Sequence, residues 1–414
     1  MPSPPTRNVV LMFLSVAFVL DHLDRHILNI TLNQIGAEFA LNDFQLGLLS
    51  GLAFAVVHVV FAFPIARLTV PGRRKTIIVT TLSLWSLLTM AMGAATSFLQ
   101  LLALRFGVGL GEAGYVPPAH SIISDQWPEE KRTSALAVFS AATNIGLFLA
   151  FILGGLVASK FGWRAAFLIA GLLGVIWALV LLLWLEEPAR AEEPFSKGEF
   201  PTYKALALRL LKDRGTRHTI IGAVLTATVG YGAAAWIATF LIRTHDMEIG
   251  QVGVYLAFVI GLGGALGTLI GGRCADRLER NNPGQRLKFV AVTILIAKPI
   301  AVAFYFSDWT MLSLLLFIIP AAFGAIFTAP TFAQIYGFVT PNERPMTSAL
   351  MLLALNLVGL GLGPIIVGTI SVLLSESYGD NALRISLASL QLFGLWAAYH
   401  YWKAGQIVSN ETMK

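Results

Sequence analysis

Long apolar runs separated by short polar stretches fill almost the whole chain. Each run has 20 to 30 residues, which is enough for a helix to cross a bilayer. Only 13% of the residues are charged, whereas a soluble domain carries about 25%. The pattern therefore predicts an all-α, polytopic membrane protein with twelve transmembrane helices. The predicted segments lie near 9–35, 44–68, 75–96, 98–125, 133–159, 163–186, 217–244, 249–272, 287–306, 309–338, 346–374 and 382–402.

The twelve segments fall into two similar halves of the chain. Gln45-Leu-Gly at the start of segment 2 recurs as Gln251-Val-Gly at the start of segment 8, an offset of 206 residues. A Thr-Ser-Ala-Leu block follows segment 4 at Thr133 and segment 10 at Thr347, an offset of 214 residues. Parallel repeats of this kind predict two pseudo-symmetric six-helix bundles, with a substrate site near the membrane midplane at their interface.

A polar stretch over 187–216 separates the two halves. It predicts an N-terminal bundle over 1–186, a cytoplasmic linker over 187–216 and a C-terminal bundle over 217–414. The second part of the linker, from Tyr203, has the spacing of an amphipathic helix, so we expect it to lie along the membrane surface.

Basic residues are unevenly distributed between the two sides of the predicted membrane. With the N-terminus in the cytoplasm, 22 Lys and Arg residues lie inside, four lie outside and three lie within segments. The positive-inside rule then predicts a multi-pass protein of the plasma (inner) membrane with both termini in the cytoplasm. This distribution explains the net charge of +6 without a nucleic-acid partner. The single cysteine, Cys274, excludes an intrachain disulfide, and we expect a monomer surrounded by membrane lipids.

Charged side chains inside segments 1 and 4 mark the candidate functional site. Segment 1 contains Asp21, Asp24 and Arg25, and segment 4 contains Arg105 and Glu112. Such charges cost about 2.5–3.5 kcal/mol each at a helix centre on insertion scales, and they are usually functional. At a rise of about 1.5 Å per residue, Asp24, Arg25 and Glu112 lie near the midplane and Arg105 lies further outward. Asp21 precedes Arg25 by four residues and can support it on one helical face.

These residues predict a site for an anion and a proton. A guanidinium binds two oxygens of a carboxylate or phosphate group. An anion that competes for the arginine would allow the neighbouring carboxylate to take up a proton. The alternative is a pair of permanent salt bridges that stabilise the fold. His22 and Lys298 are supporting candidates. Further candidates for a proton relay are His26, His58 and His120, although a lone histidine is more often a packed or capping residue.

Motifs for other classes of function are missing from the sequence. There is no Gly-x-x-x-x-Gly-Lys-[Ser/Thr] phosphate loop, so ATP is not the expected energy source. There is no His-Glu-x-x-His motif and no paired-cysteine metal site, so we expect no metal and no cofactor. We predict that the protein is not an enzyme. A lipid scramblase, which would work without a proton gradient, and a membrane-embedded enzyme acting on lipids are the alternatives from other classes.

Two sets of motifs resemble known transporter families. Gly271-Gly-Arg-Cys-Ala-Asp-Arg277 resembles the G-x-x-x-D-R loop signature of the major facilitator superfamily, whose fold the twelve segments and two halves fit. A narrower set, mostly in the first half, resembles the spinster family. This set comprises Asp24-Arg25, Arg105 with Gly109-Leu-Gly-Glu112-Ala113, Ser121-Ile-Ile-Ser-Asp125, Gly162-Trp-Arg-Ala-Ala-Phe167 and Glu187-Pro-Ala-Arg190.

The spinster resemblance implies a secondary transporter that exports a lipid-like anion, such as a lysophospholipid or sphingosine phosphate, by alternating access with proton coupling. It implies that Asp276 and Arg277 form a cytoplasmic gate. An organic-anion:proton symporter of the same superfamily is the alternative, because anion:cation symporters share a similar Asp-Arg and Gly-x-x-Glu-Ala pattern. The residues to which the resemblance assigns substrate or proton binding are Asp24, Arg25, Arg105 and Glu112.

The chain departs from these family patterns in two places. The first-half loop reads Leu68-Thr-Val-Pro-Gly-Arg-Arg74 and lacks the usual acidic residue, which removes the expected counterpart of Asp276. Arg73 and Arg74 are then left to pair with Asp125. In addition, Asp21-His22 stands where relatives often have Asn-Tyr.

Overall fold

The computed structural model describes residues 6–68, 73–187, 202–340 and 343–412. Within these ranges the chain is almost entirely helical and contains no β-strand. The all-α fold predicted from the apolar pattern is therefore confirmed. Three stretches used in the sequence analysis lie outside the described residues, namely 69–72 of the first-half loop, 188–201 of the linker and 341–342 before the second Thr-Ser-Ala-Leu block.

The helices follow the predicted segments in chain order. Three π-helical turns, Leu48–Leu52, Ala257–Leu262 and Leu355–Leu360, join pairs of these helices. The first seven are α1 (Arg7–Glu38), α2 (Asp43–Gly47), α3 (Ala53–Leu68), α4 (Arg74–Met92), α5 (Phe98–Glu112), α6 (Val116–Gln126) and α7 (Glu129–Trp184). The next ten are α8 (Tyr203–Lys212), α9 (Arg214–His245), α10 (Ile249–Leu256), α11 (Gly263–Asn281), α12 (Gln285–Phe306), α13 (Thr310–Phe323), α14 (Thr328–Phe338), α15 (Arg344–Ala354), α16 (Gly361–Tyr378) and α17 (Ala382–Thr412).

All twelve predicted segments are helical, although their ends differ from the apolar pattern. Segments 5 and 6 form two helical stretches of α7, which are joined at Gly162, where the backbone is not helical and φ is +78°. Glycine adopts this left-handed conformation because it has no Cβ. Segments 4 and 10 are each broken, between α5 and α6 and between α13 and α14. Pro117 and Pro118 lie in the first turn of α6, where a missing N–H is tolerated, so they start a helix.

Eight helical stretches of the described chain are long and apolar enough to cross a membrane. Two of them, Ser134–Trp184 and Arg344–Glu411, each contain two predicted segments. Segments 1 and 4 are not among the eight. The charges of α1 interrupt its apolar character, and the break after Glu112 leaves α5 only 15 residues long.

The described helices pack into two compact units. The first comprises Met1–Phe195 and Met247–Ala257, and the second comprises Ser196–Asp246 and Phe258–Lys414. In the first unit, α7 packs along α1, α4 and α10. A Cβ built on Gly155 of α7 would lie only 2.8 Å from the Cα of Gly253 of α10. Grouping by packing therefore assigns α10 to the first unit, although chain order assigns it to the second half.

In the second unit, α17 packs along both α9 and α12. Trp236 is fully buried, and its indole N–H donates a 2.9 Å hydrogen bond to the Pro364 carbonyl, which joins α9 to α16. The linker helix α8 belongs to this unit, because Leu206 and Leu210 are buried in its core. An ion pair of 2.7 Å between Arg209 and Glu343 also holds α8 against this unit.

Candidate functional site

Helix α1 carries a group of charged side chains into the interior of the first unit. Asp21 and Asp24 are each 1% exposed, and the side chain of Arg25 is 15% exposed. They lie on a continuous helix of 32 residues, so their positions are fixed by helical geometry. The two charged residues of α5 are equally buried, with Arg105 at 2% and Glu112 at 0% exposure. The charges predicted from segments 1 and 4 thus belong to the core of one unit.

Arg25 is shared between a carboxylate of its own helix and one of α5. Its Nη2 lies 2.6 Å from Glu112 Oε2 and 3.1 Å from Asp21 Oδ2, and its Nε donates a second bond of 3.1 Å to the same Glu112 oxygen. Glu112 Oε1 has no hydrogen-bond partner among the described residues. Removing one partner of a buried ion pair typically costs about 3–5 kcal/mol. Arg25 therefore holds α1 and α5 together through a charge pair that an entering anion would disturb.

Arg105 contacts the same aromatic ring as Arg25. Its guanidinium carbon lies 4.8 Å from the ring centroid of Phe54, and that of Arg25 lies 4.8 Å from the same centroid. A cation over an aromatic face is attracted by the ring quadrupole. Arg105 Nη2 also donates a 3.3 Å hydrogen bond to the Arg25 carbonyl. Phe54 is fully buried, and its ring stabilises both guanidiniums through these contacts.

Asp24 differs from the other two carboxylates because it forms no ion pair with any described residue. Its Oδ2 accepts a 3.4 Å hydrogen bond from the Thr89 hydroxyl of α4. The cluster contains three carboxylates (Asp21, Asp24 and Glu112) against two guanidiniums. With all five ionised it has one excess negative charge in a buried site, where unpaired charge is costly. The uptake of one proton would make the cluster neutral, and Asp24 is the carboxylate with the weakest compensation.

Glycines of α5 allow its neighbours to come close enough for these contacts. A Cβ on Gly109 would lie 2.7 Å from the Phe54 carbonyl oxygen of α3. A Cβ on Gly111 would lie 2.8 Å from the Cβ of Trp85 of α4. The missing side chains of these two glycines therefore allow α3 and α4 to approach α5 closely.

The histidines considered as proton relays have different surroundings. His22 Nδ1 lies 3.1 Å from both Asp21 Oδ2 and the Phe18 carbonyl. His58 stacks on Phe54 at a centroid distance of 5.1 Å and so adjoins the cluster. His26 contacts Asn29, and His120 packs edge-on against the ring of Phe139. His22, His26 and His58 are thus the histidines near the charged cluster, because His26 also interacts with Arg25, Arg105 and Asp21.

A second charged network lies at the start of α4. Arg74 is 1% exposed and forms ion pairs with Asp125 and with Glu187, the latter at 2.9 Å. Arg74 Nη1 also donates a 3.1 Å hydrogen bond to the Ser121 hydroxyl. Arg73 is exposed and is not part of this network. The network joins the start of α4, the end of α6 and the residues after α7.

The remaining sequence candidates lie in the second unit. Asp276 and Arg277 are exposed on α11, and no ion pair of either is formed with the described residues. Lys298 is partly buried in α12. No group of three or more potential metal ligands occurs within the described ranges.

Sequence reasoning missed the neutral residues of the site. Phe54 and Thr89 belong to segments 2 and 3, which contain no charge near these positions, so nothing in the pattern distinguished them from core residues. Glu187 was quoted as part of a motif but received no role. Its position directly after the last apolar segment of the first half was the available signal.

Comparison with known proteins identifies relatives along almost the whole chain. The profile of the Major Facilitator Superfamily matches residues 14–364. The chain is 32% identical over 395 residues to an MFS-type efflux pump of Mycolicibacterium smegmatis, covering 94% of this chain and 91% of that protein. It is 28% identical over 339 residues to the cis,cis-muconate transport protein of Acinetobacter baylyi, covering 78% of each.

A solved structure extends the likeness to the fold. A bacterial homologue of the human lysosomal transporter spinster, in an inward-facing and unoccupied conformation, superposes with a TM-score of 0.88. The two chains are 28% identical, and the match covers 99% of each. The spinster resemblance read from the motifs is thereby confirmed, as is the twelve-helix fold that it implied.

Proposed function

The chain belongs to the major facilitator superfamily, and we propose that it is a proton-coupled secondary transporter of an amphiphilic organic anion. It is a spinster-like membrane transporter and not an enzyme, as the relatives are transporters. The proposal adds the energy source and the substrate class. The observation that carries it is the buried excess of one carboxylate over the two guanidiniums in the α1–α5 cluster.

Asp24 and Glu112 are the proposed proton-binding residues. Glu112 is held by Arg25, whereas Asp24 forms no ion pair with the described residues and accepts a hydrogen bond from the Thr89 hydroxyl. A proton on Asp24 removes the excess charge of the cluster. A proton on Glu112 weakens its pair with Arg25 and frees the guanidinium. Protonation of Asp24 or of Glu112 changes the charge that the cluster presents to an anion. Proton binding therefore changes the affinity for the anion, and this dependence couples the two.

Arg25 and Arg105 are the proposed contacts for the anionic group of the substrate. Arg25 is partly exposed, whereas Glu112 and Asp21 are not, so a substrate reaches the guanidinium first. Its carboxylate or phosphate would compete with Glu112 for Nη2 and Nε, and Asp21 would continue to orient the arginine. His22 supports Asp21 in this role. The family likeness to a spinster homologue supports a lipid-like substrate such as a lysophospholipid or sphingosine phosphate.

A second candidate within the same class is an organic-anion:proton symporter. The similarity to a muconate transport protein supports it, because muconate carries carboxylates on a short unsaturated chain. Both candidates use the same arginines and carboxylates. They differ in the size of the apolar part of the substrate and in the direction of transport. The relative from Mycolicibacterium smegmatis is an efflux pump, which supports export.

The proposal also includes topology and gating. We assign the protein to the plasma (inner) membrane with both termini in the cytoplasm, on the basis of the 22 to four distribution of basic residues. Transport proceeds by alternating access of two six-segment halves, 1–186 and 217–414. The Arg74–Asp125–Glu187 network and the exposed Asp276–Arg277 pair are the proposed cytoplasmic gating elements, with Arg73 beside the former.

The test is transport by purified protein in proteoliposomes with an imposed pH gradient. A fluorescent lysophospholipid and labelled cis,cis-muconate serve as the two substrates. We expect the wild type to concentrate one of them and to lose this accumulation when an uncoupler is added. We expect Asp24→Asn and Glu112→Gln each to lower gradient-driven accumulation at least tenfold, because a carboxamide cannot carry the transported proton.

Glu38→Gln is the matched control. It is the same chemical exchange on the same helix α1, at its exposed end, and should transport like the wild type. Full gradient-driven accumulation by both Asp24→Asn and Glu112→Gln would exclude the coupling role. Equal movement of lipid with and without a gradient would instead indicate a scramblase.

A further inference from the structure

Lys298 is a membrane-embedded cation in the second unit, distant in sequence from the α1–α5 cluster. It lies in α12, eight residues before the end of the helix at Phe306. At about 1.5 Å per residue this is about 12 Å from the helix end. Its aliphatic stem packs against α17, because a Cβ built on Gly394 would lie 2.8 Å from Lys298 Cδ and 3.1 Å from Cγ. Gly394 therefore provides the space that the lysine stem occupies.

Lys298 lines a small cavity of about 20 Å³ between helices of this unit. A cavity of this volume holds one water-sized group. The other walls include Thr226, Thr293, Pro320, Phe323 and Phe327, so the cavity is mostly apolar. The hydroxyls of Thr226 and Thr293 donate to the carbonyls of Gly222 and Val290 and are therefore already engaged. Lys298 is the charged residue among those that line the cavity.

No described residue compensates the charge of Lys298. It forms no ion pair or hydrogen bond with the described part of the chain, and no charged group interacts with it. Arg25 in the first unit is the opposite case, because it has carboxylate partners at 2.6 Å and 3.1 Å. Intramembrane cations are normally paired, so an uncompensated lysine beside a cavity needs an anion from outside the chain.

We propose that Lys298 and its cavity form an anion-binding site of the second unit, which takes one oxygen of a carboxylate or phosphate head group attached to an apolar chain. The proposal rests on the proposed function, because the anion is the substrate class assigned there. The cavity has room for this one oxygen, which the ammonium binds, and the attached carbon atoms lie outside it.

The site is tested by equilibrium binding to purified protein in detergent, without any gradient. The probes are hexanoate and hexyl phosphate, with uncharged 1-hexanol to measure the apolar part alone. Ligands that bind the folded state raise the apparent unfolding temperature. We expect both anions to raise it more than hexanol does in the wild type. We expect Lys298→Met to reduce the effect of the anions to that of hexanol, which corresponds to at least a tenfold loss of affinity.

Lys288→Met is the matched control, because Lys288 lies on the same helix ten residues earlier, is absent from the cavity and contacts Ser409. It should leave the anion effect unchanged. Gly394→Ala tests the site from the opposite wall, because its methyl group displaces the lysine stem while the charge is kept. It should weaken anion binding even if Lys298→Met fails to fold.

Two results would overturn the proposal. One is an undiminished anion effect in Lys298→Met or, where that variant does not fold, in Gly394→Ala. The other is a wild type that does not distinguish the anions from hexanol. Because binding is measured without a gradient, loss of proton coupling in the Asp24 and Glu112 experiments leaves this site intact. If Lys298→Met shows normal gradient-driven transport and undiminished anion binding, the Lys298 site is rejected and the proposed transport function remains.

Discussion

At the scale of single residues, the chemistry of the site follows from the small number of ion-pair and hydrogen-bond partners around its charged side chains. Arg25 serves two carboxylates, Glu112 and Asp21, and shares the ring of Phe54 with Arg105. Asp24 accepts a hydrogen bond from the Thr89 hydroxyl and forms no ion pair within the described part of the chain. In a buried site each of these contacts matters more than it would in water, because the low dielectric strengthens every electrostatic interaction. We therefore expect the exchange of one ionisable residue in this cluster to change transport.

A charge outside the site provides that contrast. Glu38, beyond the predicted segment 9–35, accepts hydrogen bonds from the Trp163 indole at 2.7 Å and from Arg164 at 2.5 Å. These bonds, first that of Arg164, lower the pKa of the Glu38 carboxyl below its usual value of 4.5. A lowered folded-state pKa means that the pair stabilises the protein above about pH 4.5 and ceases to do so as the pH falls through the folded value.

We therefore expect Glu38→Gln to lower the apparent unfolding temperature slightly at pH 7, since exposed ion pairs contribute little. The difference from the wild type should shrink steadily below the usual carboxyl pKa, because the wild-type carboxyl then becomes protonated and neutral. Unfolding temperatures of both proteins between pH 3 and pH 8 provide the measurement. A difference that stays constant over this range would contradict the role of the ionised carboxylate.

At the scale of helices, irregular elements recur at equivalent places of the two halves. Segments 2 and 8 each contain a π-helical turn, at Leu48–Leu52 and Ala257–Leu262. Segments 4 and 10 are each broken near their middle. The repeats recognised from short motifs thus extend to the backbone. Helix α5 ends at Glu112, so the break lies directly beside a proposed proton-binding residue. The glycines of α5 keep it close to α3 and α4.

Gly109→Ala tests this packing. The new methyl group would lie 2.7 Å from the Phe54 carbonyl, which is backbone and cannot move aside as a side chain does. We expect a destabilisation of about 1–3 kcal/mol, the usual cost of overpacking, together with a loss of transport because Phe54 and both arginines shift.

Gly230→Ala is the control for helix propensity. Gly230 is in α9, and no atom lies within 4 Å of a Cβ built there. Alanine should be neutral or stabilise the helix by up to about 1 kcal/mol. Thermal unfolding and transport of both variants are the measurements. Equal behaviour of the two variants would show that the close approach at Gly109 has no energetic consequence.

At the scale of the whole molecule, charge distribution and helix count describe one consistent arrangement. Twelve helical segments separate loops with very different numbers of basic residues, 22 against four. The single cysteine, Cys274, is exposed on α11, within the loop region that our topology assigns to the cytoplasm. Labelling of Cys274 can therefore show on which side of the membrane this loop lies.

We expect a membrane-impermeant thiol reagent to leave Cys274 unlabelled in intact cells and to label it in inside-out vesicles, because the loop faces the cytoplasm. Lys160→Cys in a Cys274→Ser background is the control. Lys160 is exposed in the loop assigned to the outside and should show the opposite pattern. Labelling of Cys274 from the outside of intact cells would reverse the proposed topology.

The sequence alone determined the fold class, the number of segments and the positions of the charged residues. These properties depend on local composition, because apolar length decides which segments enter a bilayer and helical spacing decides which neighbours share a face. The Asp21–Arg25 contact was predicted in this way and is present at 3.1 Å. The motifs around Glu112 and Asp125 also indicated the family that the comparisons identify.

Only the tertiary structure decided which residues surround these charges. The Arg25–Glu112 bond joins positions 87 residues apart, and the Phe54 and Thr89 contacts come from two further helices. A neutral aromatic or hydroxyl residue in an apolar segment has no local pattern that separates a site residue from a core residue. Lys298 likewise has no counter-charge among the described residues. This can be seen only in the packed structure, because a counter-charge could come from any neighbouring helix.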